Sequence, residues 1–185
     1  MASTQSDSAL DLPTFSAPVK LLIVVAPFYR DIADDLLRGA RATLDQVQAT
    51  CDVVQVPGAL EIPTAIRIAE RTANFHGFVA LGCVIRGETT HYETVCNDSS
   101  RALQLLGLDG LCIGNGILTV ENRAQASVRA DPDDQDKGGG AAAAALHLIA
   151  LSRKWLSPRK GVGFQSDAIQ IARDDDSPKD GPKSA

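Results

Sequence analysis

Apolar and polar positions along this chain fall into blocks whose period changes from one block to the next. Residues 19–26, VKLLIVVA, form a run that is apolar but for Lys20. That pattern predicts a strand covered on both faces, because a strand with one wet face alternates instead. In DIADDLLRGARATLDQV, 31–47, the residues Ile32, Leu36, Ala40, Leu44 and Val47 recur at helical spacing, with Asp31 where an N-cap is expected. CDVVQVPG, 51–58, predicts a second strand stopped by Pro57-Gly58. EIPTAIRIAERTA, 61–73, predicts a second helix in which Ile62, Ala65, Ile66 and Ala69 share a face and Pro63 fits the first turn. A third strand follows in HGFVALGCVIR, 76–86, and a third helix over 91–106. LCIGNGILT, 111–119, predicts a fourth strand, ENRAQASVRA, 121–130, a short helix, and 138–155 a final helix.

Strands that alternate with helices predict an α/β layered sandwich around a parallel sheet. The folded domain is expected over residues 18–156. Residues 1–17 are polar, carry Pro13, and read as an extended N-terminal arm with no core of its own, suited to adding to a neighbour's sheet edge. Residues 157–185, ending RDDDSPKDGPKSA, shift to Ser, Pro, Gly, Asp and Lys and read as a disordered C-terminal tail.

Composition narrows the partners. The formal net charge of −5 argues against a nucleic-acid binder, which needs a basic face. No apolar run approaches the roughly 20 residues that span a bilayer, and the N-terminal sequence lacks a basic start and an apolar core, so neither a membrane protein nor a secretion signal is expected. Cys51, Cys83, Cys96 and Cys112 form no C-x-x-C pair, which speaks against a zinc or redox motif and for a reducing, cytoplasmic location.

In open parallel sheets ligands bind beyond the carboxyl ends of the strands. Here those ends read APFYR, VPGALE, IRGETTH and GNGILT. In the third, Thr90 and Glu93 fit the S/T-x-x-E capping box, with His91 as the first helical residue. The free N–H groups of such a turn favour an anion, best a phosphate. An unperturbed imidazole beside it, titrating around 6.5, suits proton transfer near neutrality. The same residues also fit a plain helix start with a solvated histidine. Arg129 and Lys137, flanking RADPDDQDK, are candidate phosphate partners or simple charge balance in an acidic loop. Phe28 fits stacking on a flat heterocycle and a core or interface position equally. Glu61 fits a ligand carboxylate or a dipole-compensating residue at a helix start. GGGAAAAA reads as close helix packing or a loose helix start, and no nucleotide loop of the P-loop or dinucleotide type stands at a strand end.

Taken together, VPGALEIPTA, ALGCVIRGETTHYETVCND and GNGILTVENRAQASVRA…DKGG resemble the lumazine synthase family in one register from about Val19 to Trp155. The resemblance implies a flavodoxin-like three-layer α/β/α sandwich with a four-stranded parallel sheet. It implies a transferase of riboflavin biosynthesis that joins 5-amino-6-(D-ribitylamino)uracil to 3,4-dihydroxy-2-butanone 4-phosphate, giving 6,7-dimethyl-8-ribityllumazine, with no metal or organic cofactor. It also implies a homopentamer with each active site shared by two neighbours, assembled in some members into a 60-subunit shell, with riboflavin synthase as a further partner to consider. By the same resemblance His91 transfers protons and Phe28 stacks on the pyrimidine. Ala59, Leu60 and Glu61 meet the ribityl chain, and Cys83, Val84 and Ile85 meet the pyrimidine edge. Glu88 and Thr89 form the phosphate loop, Arg129 reaches the phosphate from the adjacent subunit, and Lys137 lies near the ribityl group. Leu60 and Asn115 stand where many relatives carry aromatic rings, which lends some weight to a non-catalytic flavin- or lumazine-binding shell protein of the same fold. A signalling receiver domain needs acidic residues at the first and third strand ends and is set aside.

Overall fold

A computed structural model describes residues 10–156; the first part of the arm and the expected 157–185 tail lie outside the described residues. Four strands, β1 (Lys20–Val25), β2 (Thr50–Gln55), β3 (Gly77–Ile85) and β4 (Ile113–Val120), pair in the order β2-β1-β3-β4, all parallel. Five helices connect and cover them: α1 (Arg30–Gln46), α2 (Glu61–Thr72), α3 (His91–Leu108), α4 (Arg123–Ala130) and α5 (Lys137–Leu156). This is the α/β layered sandwich around a parallel sheet that the period changes predict, in the flavodoxin-like three-layer form that the resemblance implies.

Beyond Lys20, β1 is apolar because both its faces are covered. Leu21, Ile23 and Val25 pack with Ile32, Leu36, Leu44, Leu146 and Ile149 of α1 and α5. Leu22 and Val24 face the other way, onto Ile62 and Ile66 of α2 and Leu103 and Leu106 of α3. β3 shares this position, with its first seven residues buried. β4, at one edge, alternates buried and more exposed residues, and β2, at the other, has no fully buried residue.

Small residues set the layer spacing on the α1–α5 face. A Cβ at Gly138 would overlap the Leu36 carbonyl of α1, and one at Gly114 of β4 would overlap the Ala141 carbonyl of α5. GGGAAAAA is therefore a close-packing segment. Asp136, at φ 39°, caps it by accepting the Gly139 N–H at 2.9 Å. A left-handed Asp is among the less costly non-glycine choices for such a turn.

Three local expectations differ from the structure. α1 begins at Arg30 with Tyr29 at its N-cap position and no side-chain cap, while the Asp31 carboxylate accepts from Arg123 at 2.6 Å. The Thr90–Glu93 capping box does not form: Thr90 is already helical in backbone conformation, and Glu93 pairs with Arg86 instead. The arm is not wholly without a core contact of its own. Leu12 and Phe15 pack against the domain, and Arg153 of α5 donates to the carbonyls of Ala17 and Pro18 at 3.0 and 2.8 Å. A guanidinium fork with two carbonyls in reach outcompetes solvent for this stretch.

The close approach makes a test. Gly138→Ala must push α5 off α1 and is expected to lower stability by about 1–3 kcal/mol, as overpacking does. Gly107→Ala, in α3 with nothing within 4 Å of the added Cβ, should raise it by about 0.5–1 kcal/mol. Denaturant midpoints of the two variants check the pair.

Candidate active site

Strand order places the site. From β1 the chain first moves outward to β2, then returns across to β3, so the loops after β1 and β3 diverge and leave a crevice between them. A cavity of about 510 Å³ lies there. Ala26, Phe28 and Tyr29 line it from the end of β1, Pro57 to Glu61 from the end of β2, and Cys83, Val84, Ile85, Gly87, Thr89, His91, Tyr92 and Val95 from β3 and α3. The volume suits a small molecule.

Its walls divide by chemistry. Phe28 is 74 % exposed and held edge-on by Tyr29, with ring centroids 5.0 Å apart and planes at 73°. An apolar ring that open to solvent, but fixed in orientation, is prepared to stack on a flat ligand. Glu61 opens α2, and its carboxylate has no hydrogen-bond or ion-pair partner among the described residues. It lies over Gly58, where a Cβ would stand 3.0 Å from Oε2. It is thus a free acceptor at the rim.

Opposite, β3 presents backbone edge and the side chains of Cys83, Val84 and Ile85. Burial pushes the Cys83 thiol up to about 11, so it remains a neutral wall group and no nucleophile near pH 7. His91 is the first residue of α3. Its backbone N–H faces Thr89 Oγ1 at 3.4 Å, and among the described residues its ring has no hydrogen-bond partner. An imidazole beside a helix N-terminus, with both ring nitrogens uncommitted, has a free hand in proton transfer.

The structure gathers nine of the expected residues, Phe28, Ala59, Leu60, Glu61, Cys83, Val84, Ile85, Thr89 and His91, around this one cavity. Glu88 is exposed and lines neither this cavity nor the next. The remaining three lie apart. Asn115, Arg129 and Lys137 line a second cavity of about 360 Å³ between β4, the end of α4 and the start of α5. The two cavities share no lining residue. Arg129, in the last turn of α4, folds back to donate to Gln125 O at 3.1 Å. Asn115 accepts the Ile117 N–H at 3.0 Å through Oδ1, so its amide NH₂ is left outward. With two cations and an amide donor among its lining residues and no carboxylate, this second cavity suits an anion.

Reading the sequence missed Tyr29, Tyr92 and Val95 as wall residues and Arg86 as a cross-link. Helical spacing offers a signal for Val95, one turn beyond His91. The Arg86 contacts join residues seven and 35 positions apart and leave no periodic trace. Among the described residues no cluster of three or more His, Cys, Asp or Glu side chains is placed to hold a metal ion, and no helix is long and apolar enough to cross a membrane.

Residues 18–153 match the family model for 6,7-dimethyl-8-ribityllumazine synthase. The chain is 56 % identical over 168 residues to the 6,7-dimethyl-8-ribityllumazine synthase of Jannaschia sp., an alignment covering 90 % of this chain and 94 % of that relative. It is 54 % identical over 136 residues to the enzyme of the same name from Novosphingobium aromaticivorans, covering 74 % and 98 % of the two chains. Against that of Bartonella henselae the figures are 57 % over 138 residues, 73 % and 89 %. Matched over its whole sandwich, the chain belongs to the 6,7-dimethyl-8-ribityllumazine synthase family.

Proposed function

We propose that the chain condenses 5-amino-6-(D-ribitylamino)uracil with 3,4-dihydroxy-2-butanone 4-phosphate to give 6,7-dimethyl-8-ribityllumazine, with loss of phosphate and water, as a cytoplasmic step of riboflavin biosynthesis. The observation that carries this reading is the cavity at the switch point, where an open aromatic, an unpaired carboxylate and an unpaired imidazole surround one small-molecule volume.

In this reading the pyrimidine stacks on Phe28, with its edge along the backbone of Cys83, Val84 and Ile85. The ribityl hydroxyls reach Ala59, Leu60 and the Glu61 carboxylate. The ester phosphate sits at the α3 start, against Glu88 and Thr89. Imine formation, phosphate elimination and ring closure each move protons, and none requires a protein nucleophile. Catalysis then rests on positioning and on electrostatics at the phosphate, with His91 relaying protons.

A phosphate needs a cation, and within one chain Arg129 lines a different cavity from His91. A neighbouring copy that brings its Arg129, Lys137 and Asn115 to the first cavity completes the site. This supports a homopentamer with sites between subunits, whether or not such rings assemble further into a shell. Large apolar side chains on the subunit surface, including Ile68, Leu105, Leu108 and Trp155, support burial in such an assembly. The Asn115 amide replaces ring contact with a donor, and Leu60 leaves that wall aliphatic.

Native mass should correspond to five chains or a multiple of five; a monomer mass would remove the shared site. His91→Ala is expected to lower kcat by about 10²–10⁴-fold, the usual share of acid–base help, with residual turnover and intact pyrimidine binding. Loss of pyrimidine binding along with turnover contradicts the relay role. Arg129→Ala should raise KM for the phosphate ester about tenfold or more, as loss of a charge-assisted hydrogen bond does, while KM for the pyrimidine changes little. Equal rises for both substrates count against phosphate binding.

A further inference from the structure

Arg86 lines neither cavity, yet it joins β3 and α3, which line the first, to the end of β4. Its backbone N–H donates to Val120 O at 2.9 Å, beside the last rung between β3 and β4. Its side chain then spreads: Nε donates to Glu121 at 2.7 Å, Nη1 donates to Glu93, and the guanidinium carbon lies 4.2 Å from the Tyr92 ring centroid. Glu93 is in the first turn of α3, two residues after His91; Glu121 follows β4; Tyr92 is a wall of the cavity. One planar fork therefore fastens the start of the His91 helix to the end of β4. A lysine carries the same charge but no fixed fork, and cannot make these contacts together.

Among the described residues, another side-chain contact at this helix start is the His91 N–H to Thr89 Oγ1 at 3.4 Å. Thr90 makes no side-chain cap, and a Cβ at Gly87 would meet nothing within 4 Å. The side chains of Arg86, Glu93 and Glu121 are 41, 48 and 57 % exposed, so their pairing contributes little to global stability. Its effect is local order. The hydrogen bond to Glu93, and then that to Glu121, holds the Arg86 pKa above its ordinary value, and Arg86 in turn holds the Glu93 carboxyl below its own. The guanidinium is committed to two carboxylates, in a cluster that is negative overall, and is not a free cation awaiting an anion.

We propose that Arg86 is a positioning residue for the condensation: it holds the first turn of α3 so that the His91 ring meets the reacting atoms, without touching substrate itself. The proposal rests on the functional reading above. It is tested in the assembled enzyme with Arg86→Gln and Arg86→Lys, following steady-state kinetics and amide hydrogen exchange at Thr94 and Val95; the Thr94 N–H donates to Thr90 O at 3.3 Å.

Both variants should lose about 10–100-fold in kcat, the usual cost of removing a group that orients a reacting residue. KM for each substrate should stay within about threefold, and exchange at Thr94 and Val95 should quicken about tenfold or more while that of β1 amides is unchanged. Unchanged kcat, or full recovery with lysine, overturns the proposal. So does a tenfold rise in KM for the phosphate ester with kcat retained, which would make Arg86 a phosphate ligand. Exchange is read independently of turnover: if the wild-type protein performed no condensation, the functional reading would fall, and unchanged exchange would separately dismiss the tie. Should Arg86→Gln fail to assemble, Glu93→Ala removes one arm of the fork and is expected to change kcat and exchange in the same directions by less.

Discussion

The double burial of β1 is the constraint on which the rest depends. A strand with partners on both edges and helices on both faces can only sit at the centre of a parallel sheet, and parallel pairing sends every strand's carboxyl end to one rim. Crossovers between parallel strands are right-handed, so reaching β2 on one side of β1 and β3 on the other puts successive helices on opposite faces. α1, α4 and α5 fall on one face and α2 and α3 on the other. The loops after β1 and β3 then part, and the cavity between them is a consequence of topology before any functional side chain is considered.

What the side chains add is a separation of tasks. The cavity at the switch point offers an exposed ring, and a carboxylate and an imidazole without partners among the described residues, while the donor-rich cavity against β4 offers a guanidinium and an ammonium. Keeping cation and acid on different parts of the surface avoids their neutralising each other within one subunit. Glu61 has no ion-pair partner among the described residues, and Arg129 turns back on its own helix. In the proposed shared site, a ligand and a neighbouring copy together would satisfy polar groups that one chain leaves open.

The strained and tight positions of the fold fall on the opposite side of the sheet from α2 and α3. Asp136 in the left-handed region and the glycine contacts of α5 with α1 and β4 draw that layer close, and the first residues of α5, Lys137 among them, are placed by it. The corner that bears His91 is built differently: no capping box closes it, and exposed charge pairs of Arg86 with Glu93 and Glu121 tie it to the end of β4.

Much of this was legible from residue order. The run 19–26, the helical spacing of Ile32 to Leu44 and the apolar third strand identify their elements because burial on a periodic backbone leaves a periodic trace, and nine expected site residues meet in one cavity. Local signals failed where a side chain had a better partner far along the chain. Asp31 left its cap for Arg123, Glu93 left its capping box for Arg86, and the arm residues Leu12 and Phe15 found the core. Whether GGGAAAAA was packing or loose turn waited on the Leu36 carbonyl. The amino-acid order by itself determined the elements, their alternation and the chemistry gathered at the strand ends, since these depend on period and on neighbours within a turn. Only the tertiary structure decided which charges pair, which aromatic stays open, and that Arg129 lies apart from His91, because those outcomes turn on distances between residues that the chain brings together only on folding.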